Sequence, residues 1–437
     1  MQYEVEDFNE ETQTDVIRRR PKKKESFFKR HAFFMGSLFT IVCMIFSVLI
    51  VKKMLAYTGQ ILIWGESGTS VISGEALLDD EVVDKIDEIY SYMNIYYYED
   101  FEKEDIYNAM YSGVMESLDD PYSVYYTPEE YLDLQVDTSG VYYGIGAGVS
   151  QNLETMKVTI TKVYRGTPSE EAGLKNGDVL LYVEDIDATS MEVSELVKHI
   201  RGEEGTTVHL TIYRESTGET LEFDVERRHV ELPSIEGEML DNGIAYVQIT
   251  EFQSKTDEQF AEMITQLQAQ GMKGLIVDVR ANPGGMLSSV VNLLDTILPK
   301  GLIVYIEDKY GNRDEYNSDK ACMELPMVVL IDESSASASE IFAGALKDYE
   351  YATLVGKTTF GKGIVQNIIP LSDGDAIKLT TAKYFTPKGN YIHGTGIAPD
   401  IEVEYEYTGD LEATYDKQYD SQFIKALEVM EDLLANE

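Results

Sequence analysis

Cysteine and histidine are scarce in this sequence of 437 residues. The two cysteines, Cys43 and Cys322, lie far apart in the chain, so we expect no intrachain disulfide. None of the five histidines has the H-x-x-H or H-E-x-x-H spacing of a zinc site, and there is no Cys–His cluster. The sequence therefore predicts neither a bound metal nor a cofactor.

Positive charge is also scarce, and it is concentrated at the N-terminus. The chain has 36 Lys and Arg against 78 Asp and Glu, which gives a formal net charge of −42. Beyond residue 53, only 26 basic residues remain against 71 acidic ones. Such a surface repels nucleic acid phosphates, so we expect no nucleic acid partner.

The longest uncharged stretch is the 19-residue run 33–51. As a helix it would extend roughly 28 Å, which is about the hydrocarbon thickness of a bilayer. Eight basic residues precede the run between positions 18 and 30, whereas only Lys52 and Lys53 follow it directly. The positive-inside rule then predicts a single-pass anchor in the cell membrane, with a cytoplasmic tail at 1–32 and the remainder outside the cytoplasm. A cleaved signal peptide and a soluble core helix are the competing interpretations.

Residues 52–77 lack strong periodicity, which is typical of a linker. A predicted helical region follows at 78–135, where two apolar stripes have helical spacing. The stripes consist of Val82, Ile86, Ile89 and Met93, and of Ile106, Met110, Val114 and Leu118. Such stripes are usually core, and a homodimer formed through this helical pair is a further hypothesis.

The region 136–228 changes to short strands and glycine turns. Three of its segments, YGIGAG (143–148), TPSEEAGL (167–174) and NGDVLL (176–181), together resemble a PDZ domain. In such a loop successive backbone N–H groups converge on the carboxylate of a peptide C-terminus, while the peptide adds a strand to the sheet. The resemblance assigns this role to Gly144, Ile145, Gly146 and Ala147.

Residues 229–404 alternate continuous apolar strands with helices, which favours a layered domain with a largely buried sheet. We predict strands at 244–249, 274–279, 302–306 and 327–331, and helices at 257–270, 287–297 and 339–346. The acidic tail 405–437 has apolar residues at helical spacing over 420–434, which indicates a helix docked on its neighbours. The whole chain is thus expected to be an α+β multidomain protein.

A serine-rich block, DESSASASEI (332–341), lies where the strand 327–331 passes into a helix. A serine at that junction is close to free helix N–H groups that stabilise an oxyanion. Its base could be His393, the only histidine after residue 229, or Lys362, which lies between two glycines. Burial would lower the pKa of Lys362 and leave a neutral amine to accept the serine proton, with Gln366 placed to orient that amine.

Three motifs resemble those of the C-terminal processing peptidases, the tail-specific serine proteases of family S41. They are SASASEI (335–341), TFGKGIVQ (359–366) and DVRANPGG (278–285). The resemblance extends from about residue 78 to residue 403 and includes DPYSVYYTPE (120–129) and YIHGTGIAPD (391–400).

This resemblance implies a serine endopeptidase with a Clp-protease/crotonase-like core and an inserted PDZ domain. By motif position, Ser337 would be the nucleophile, Lys362 the base and Gln366 the residue that orients Lys362. Ala338 and Gly284 would supply the oxyanion N–H groups. The expected partners are proteins or peptides with free C-termini.

The resemblance also implies that the PDZ domain helps to gate the active site. Arg201, at the end of the predicted helix 193–200, is our candidate for a contact that stabilises the active arrangement. The alternative is a solvated arginine at a helix C-terminus.

Two other functions compete with this interpretation. The stretch GKTTFGKG (356–363) resembles a phosphate loop, but Gly363 stands where a metal-binding Ser or Thr is required, so an NTPase is disfavoured. A catalytically inactive PDZ scaffold on a peptidase fold is the second alternative, and the intact set of Ser337, Lys362 and Gln366 argues against it.

Overall fold

A computed structural model describes residues 60–65, 68–73, 77–319, 323–410 and 415–436. The chain divides into two units, Met1–Phe101 and Glu102–Glu437. No helix within the described ranges is long and apolar enough to cross a bilayer. The predicted anchor at 33–51 lies outside the described residues.

The first unit contains a β-hairpin and a helix. Strand β1 (Gln60–Gly65) pairs antiparallel with β2 (Gly68–Ser73). These strands fall inside the stretch 52–77, for which a linker was predicted; β-branched residues on both sides of a short connection favour such a hairpin. Helix α1 (Asp80–Tyr96) begins where the side chain of Asp79 accepts a hydrogen bond from the N–H of Val82 at 3.0 Å.

The second unit begins with helix α2 (Lys103–Glu116), strand β3 (Val124–Tyr126) and helix α3 (Pro128–Ser139). Helices α1 and α2 confirm the two predicted helices, but Leu118 lies beyond the end of α2 and the stripe residues Val82, Ile89 and Val114 are exposed rather than core. Helix α3 was not predicted, although Thr127 and Glu130 form a capping box at its start. It ends at Gly140, whose φ of 68° is a left-handed conformation that glycine adopts without strain. Helix α3 therefore crosses the predicted boundary between the helical region 78–135 and the region 136–228.

The next segment has its own sheet and its own core. Its strands are β4 (Val141–Gly144), β5 (Ala147–Gln151), β6 (Val158–Val163), β7 (Val179–Val183), β8 (Ile186–Asp187), β9 (Thr207–Arg214), β10 (Glu219–Glu226) and β11 (Arg228–Glu231). The sheet order is β10-β9-β7-β6-β5, with β8 beside β7, and β4 pairs with β11. Two helices, α4 (Pro168–Ala172) and α5 (Val193–Ile200), accompany the sheet. Ile160, Leu196 and Leu210 are fully buried in this core.

The remaining elements form a layered α/β region. Its strands are β12 (Ile235–Met239), β13 (Ile244–Ile249), β14 (Gly274–Asp278), β15 (Gly301–Asp308), β16 (Arg313–Ser318), β17 (Met327–Ile331), β18 (Thr353–Gly356), β19 (Ile364–Pro370), β20 (Ala376–Phe385) and β21 (Ile401–Glu402). Its helices are α6 (Thr256–Ala269), α7 (Leu287–Ile297), α8 (Ala338–Asp348) and α9 (Ser421–Ala435). One sheet has the order β12-β13-β14-β17-β18-β21, and all its pairs except β12–β13 are parallel.

This sheet is covered on both faces, which explains its continuous apolar strands. Successive side chains of a strand point to opposite faces. Val277 and Val329 accordingly pack in the core that includes α6, α7 and α8, whereas Ile276 and Val328 pack with Met430 of α9. The buried sheet and the docked C-terminal helix are therefore confirmed, and the organisation is mixed α/β.

A second sheet is antiparallel and lies beside the first. Its strands follow the order β16-β15-β20-β19, and β3 pairs with β20 through Val124 and Lys378. Strand β3 thereby brings residues near position 122 to the sheet that carries Gln366 and the residues after Lys362.

Candidate active site

Ser337 stands at the junction between β17 and α8. Its backbone has φ 54° and ψ −114°, which is a rare conformation for a residue with a side chain. Non-glycine residues with such strained backbones cluster at active sites, and a strained turn from strand to helix exposes the nucleophile of many hydrolases. Ala338, the first residue of α8, has an N–H with no partner within the helix, as expected at a helix N-terminus.

The three serines of the motif 335–339 differ in how their hydroxyls are used. Ser335 and Ser339 are fully buried, and their hydroxyls donate to the carbonyl oxygens of Val279 at 2.7 Å and Asn282 at 3.0 Å. The hydroxyl of Ser337 makes no hydrogen bond to another side chain in the described part of the chain. The two outer serines thus fasten the turn, whereas the middle one is not used in this way.

Glu340 joins the serine turn to the lysine loop. Its carboxylate is fully buried and accepts hydrogen bonds from the backbone N–H groups of Ser337 at 2.9 Å and Lys362 at 2.7 Å. It also accepts from Gly361 N–H at 2.7 Å and from the Thr359 hydroxyl at 2.5 Å. Four donors on one carboxylate fix the two loops against each other. Sequence reasoning missed this role, although Ser337-x-x-Glu340 has the spacing of a capping box.

Lys362 lies in a partly buried position beside an aromatic ring. Its Nζ lies 4.5 Å from the centroid of the Tyr122 ring. Burial lowers the pKa of Lys362 below its ordinary value, and the positive charge of Lys378 lowers it further. The carboxylates of Asp120 and Glu340 act in the opposite direction without reversing the shift. A lysine with a lowered pKa is more readily neutral, which is what a general base requires.

The structure brings Ser337 and Lys362 to adjoining loops, but their side chains are not hydrogen-bonded to each other. The side-chain amide of Gln366 donates to the Thr380 hydroxyl at 3.3 Å rather than meeting Lys362. The backbone N–H of Gly363 donates to Nδ1 of His393 at 3.3 Å. His393 thus supports the lysine loop, and no hydrogen bond links it to Ser337 in the described residues.

The predicted oxyanion residue Gly284 lies against the serine turn. A Cβ at this position would lie 2.7 Å from the carbonyl oxygen of Ala336 and 2.9 Å from the backbone nitrogen of Ala338, and its φ is 108°. Only glycine permits this approach. The Gly284 N–H, however, donates to the side chain of the fully buried Asn282 at 2.9 Å, so it is not directed at a substrate.

A cavity of about 390 Å³ opens at Ser337. Its lining includes Ser337, Ala338, Gln366, Lys378 and Gly285 together with several apolar side chains. The neighbouring glycine, rather than the predicted one, therefore faces the open space. This volume lies within the range of clefts that enclose a ligand.

The turn that holds these glycines is supported from the C-terminal segment. Arg280 donates to Asp278 at 2.7 Å, to Asp420 at 2.8 Å and to Gln422 at 2.9 Å. Burial by itself lowers the pKa of Arg280, but the two carboxylates raise it well above the ordinary value. Tyr246 donates its hydroxyl to Asp278 at 2.9 Å. Sequence reasoning had not assigned a role to Arg280.

The predicted carboxylate loop lies between β4 and β5. Gly146 has a φ of 78°, and a Cβ there would lie 2.3 Å from Thr167. The ring of Tyr142 lies under Gly144, and a hydrogen bond from the Gly146 backbone partly offsets the burial that raises the pKa of Tyr142. A cavity of about 210 Å³ next to this loop is lined by Ile145 and other residues of the segment.

Helix α3 lies along that same cavity and is joined to α5 by two ion pairs. Arg201 contacts Asp133 at 3.0 Å, and Lys198 contacts Glu129. The guanidinium of Arg201 also lies 5.4 Å from the ring centroid of Tyr142. Arg201, the regulatory candidate from the sequence, thus connects the segment that contains the predicted carboxylate loop with helix α3, which lies outside that segment.

Comparisons with known proteins test which family this chain belongs to. The model for peptidase family S41 matches residues 243–403, a PDZ domain model matches 144–226, and the model for the activating protease CtpB N-terminal domain matches 64–130. The structure of a photosystem II D1 C-terminal processing protease is 27% identical and covers 73% of this chain and 86% of that chain, with a TM-score of 0.43.

Two relatives match most of their own length. The carboxyl-terminal-processing protease of Synechocystis sp. is 35% identical over 75% of this chain and 77% of its own. The carboxy-terminal processing protease CtpA of Bacillus subtilis is 34% identical over 77% of this chain and 73% of its own. The resemblance found in the motifs is therefore confirmed, and the chain belongs to the carboxyl-terminal processing proteases, serine-type endopeptidases of family S41 with a PDZ domain.

Proposed function

We propose that Ser337 and Lys362 form the catalytic pair of this endopeptidase. The observation that carries the proposal is the bridge made by Glu340, which accepts hydrogen bonds from the backbone N–H groups of both residues. The lowered pKa of Lys362 and the strained backbone of Ser337 at the start of α8 suit a base and a nucleophile.

In this mechanism the neutral amine of Lys362 accepts the proton of the Ser337 hydroxyl, and the oxygen attacks the scissile carbonyl carbon. The resulting oxyanion is stabilised by the Ala338 N–H and by the glycine turn after β14, where Gly285 faces the cavity. The protonated lysine then gives its proton to the leaving amine, and water hydrolyses the acyl enzyme by the same route. Because Nζ lies over Tyr122, the lysine side chain must turn toward Ser337, and the proposed role of Gln366, which lines the same cavity as Ser337, is to orient it there.

The pair is tested with single substitutions in the full chain. Ser337→Ala and Lys362→Ala should each abolish cleavage of a peptide substrate while the fold is kept, because nucleophile and base act as one unit. His393→Ala should retain substantial activity. An inactive His393→Ala variant beside an active Lys362→Ala variant would assign the base to histidine. Failure of Ser337 to react with a serine-directed probe would favour the inactive scaffold.

We also propose that the loop from Gly144 to Ala147 binds the C-terminus of the substrate. The loop adjoins a cavity, and it lies in the segment that the PDZ domain model matches. Amidating the C-terminus of a peptide removes the carboxylate and should reduce kcat/KM. Equal cleavage of the amidated and the free-acid peptide would show that this loop does not bind the C-terminal carboxylate of the substrate.

For Arg201 we propose a regulatory role, supported by its ion pair with Asp133 of α3 and its position at the cavity of the loop. A ligand can shift the balance between two states only if it binds one of them more tightly. Arg201→Met should therefore reduce the dependence of turnover on a free C-terminus. Unchanged discrimination between free and amidated peptides would exclude this role.

We further propose that the chain is anchored in the cell membrane by 33–51, with the peptidase outside the cytoplasm. The support is the charge asymmetry around that run. In intact cells a tag at residue 2 should be protected from external protease, and the region after residue 78 should be digested. Soluble protein that begins near residue 56 would instead identify a cleaved signal peptide.

A homodimer through the N-terminal helices is proposed on the apolar stripes of α1 and α2. Light scattering should then give twice the mass of one chain, and Ile89→Asp should yield monomers. A monomeric wild-type protein at micromolar concentration would exclude the proposal.

A further inference from the structure

Tyr122 belongs to the turn between α2 and β3, about 240 residues before Lys362 in the chain. Its ring lies beneath the lysine ammonium, with Nζ 4.5 Å from the ring centroid. A cation at this distance from an aromatic face is attracted by the quadrupole of the ring. The contact therefore bears directly on where the lysine side chain rests.

The turn that carries Tyr122 is fixed by its own hydrogen bonds. The carboxylate of Asp120 accepts from the Tyr122 N–H at 3.0 Å and from the Ser123 hydroxyl at 2.6 Å. The same hydroxyl of Ser123 accepts from the N–H of Thr380 on β20 at 3.0 Å, and Ser123 is buried. The pairing of β3 with β20 then holds the ring beside the lysine loop.

We propose that Tyr122 is a positioning residue that holds the charged form of Lys362 away from Ser337. The proposal rests on the proposed role of Lys362 as the base. A ring face attracts the ammonium but not the neutral amine. The protonated lysine thus rests on the ring, and loss of its proton releases the amine toward the nucleophile.

Other charged groups face the same lysine, and their effects must be separated from that of the ring. Lys378 on β20 favours the neutral form, whereas Asp120 and Glu340 favour the charged form. His393 adjoins the loop through Gly363. Because the ring also favours the charged form, removing it while keeping apolar bulk should lower the pKa of Lys362 by roughly half a unit to one unit.

The test compares Tyr122→Leu and Tyr122→Met, which keep apolar bulk, with Tyr122→Phe, which keeps the ring. Competitive acetylation of the full chain in detergent, read by mass spectrometry across a pH series, measures the pKa of the Lys362 amine without any turnover. The matched control is Tyr310→Leu, since Tyr310 is an exposed tyrosine whose ring lies 5.1 Å from Nζ of Lys309.

We expect the Leu and Met variants to lower the pKa of Lys362, while the Phe variant and the Tyr310→Leu control keep the wild-type value. The acid limb of kcat/KM should move by the same amount. An unchanged or raised pKa in both the Leu and the Met variant would overturn the proposal. If the pKa of Lys362 falls but the acid limb of kcat/KM does not move, the effect of the ring on the lysine is supported and Lys362 is not the base.

Discussion

Glu340 offers a test of how strongly the serine turn and the lysine loop depend on each other. The substitution Glu340→Gln keeps the size of the side chain but removes its charge and one of its two acceptor oxygens. In the wild type, one oxygen accepts from the N–H groups of Ser337 and Lys362, and the other accepts from Gly361 N–H and the Thr359 hydroxyl. The NH₂ group of the new amide must therefore face either the N–H groups of Ser337 and Lys362 or the Gly361 N–H and the Thr359 hydroxyl.

The less costly orientation can be worked out from the partners. If the NH₂ group faces Thr359 and Gly361, the Thr359 hydroxyl can accept from it as well as from the Ile397 N–H, so the Gly361 N–H loses its partner and the Thr359 O–H loses its charged acceptor but gains a donor. A hydrogen bond to a charged group contributes about 1.5–3 kcal/mol. In the reverse orientation the N–H groups of Ser337 and Lys362 both lose their acceptor, at about 3–6 kcal/mol. The Glu340→Gln variant should adopt the orientation in which the NH₂ group faces Thr359 and Gly361. It should then lose at least about 1.5–3 kcal/mol of hydrogen-bond energy.

The assay is kcat/KM on a free-acid peptide across a pH series, with unfolding by urea measured in parallel. If the lost energy falls on the alignment of the two loops, kcat/KM should fall by about 10- to 100-fold at its plateau. The acid limb should also move to lower pH, because the negative charge of Glu340 raises the pKa of Lys362. A matched control is Glu258→Gln, a side chain that is 63% exposed and pairs with Lys255.

The control should leave both kcat/KM and the urea midpoint close to wild type, because exposed ion pairs contribute little. A Glu340→Gln variant with kcat/KM within twofold of wild type and an unmoved acid limb would refute the reasoning. Reduced stability with full activity would mean that Glu340 supports the fold but not the alignment of the site.

Four further outcomes follow from the same contacts. Lys378→Met should move the acid limb of kcat/KM to higher pH, because the charge of Lys378 lowers the pKa of Lys362. Asp120→Asn should move that limb to lower pH, because Asp120 raises the same pKa. Gly284→Ala should reduce kcat/KM sharply with a smaller loss of stability, since its Cβ would lie 2.9 Å from the nitrogen that opens α8. Burial raises the pKa of Asp420, but its hydrogen bonds and the nearby guanidinium lower it below the ordinary value overall. Its stabilising contribution is therefore present at neutral pH and lost as the pH falls below about 4, so urea unfolding should separate wild type from Asp420→Asn at pH 7 and less so in acid.

The elements that the sequence predicted well are those with a local signal. Helix α5 (Val193–Ile200), helix α7 (Leu287–Ile297) and strand β17 (Met327–Ile331) were predicted with the bounds that the structure has. Their apolar spacing is unambiguous because each buries a defined face. Helix α3 was missed even though Thr127 and Glu130 carry its capping signal, because its apolar periodicity is weak.

Apart from the strand predicted at 302–306, which lies within β15, the second sheet could not be predicted from local pattern. Strand β20 (Ala376–Phe385) pairs with β3, which lies about 250 residues earlier in the chain, and the sheet leaves many of its side chains half-buried. Pairing over such a separation leaves no local periodic signal. The same limit applies to the site: the motifs identified Ser337 and Lys362, but not that Tyr122 would lie against the lysine.

The N–H of Gly284 shows a different limit. The resemblance assigned an oxyanion N–H to Gly284, and the structure shows this glycine in close approach to Ala338 of the serine turn. The direction of its N–H depends on the side chain of Asn282, which is two residues away and buried. Hydrogen-bond direction is set by tertiary packing, so motif position alone could not show that this donor is already in use.

The charged groups around the site divide it into fixed and movable parts. A buried charge is costly unless it is paired and fully hydrogen-bonded. Glu340 is satisfied by hydrogen bonds and Arg280 by ion pairs and hydrogen bonds, and each joins segments that are distant in sequence. The partner of Arg280 is Asp420, at the start of α9, so the C-terminal helix supports the glycine turn as well as the sheet. The backbone of the site is thereby held by buried ion pairs and hydrogen bonds, and in the proposed mechanism the side chain of Lys362 is the part that moves.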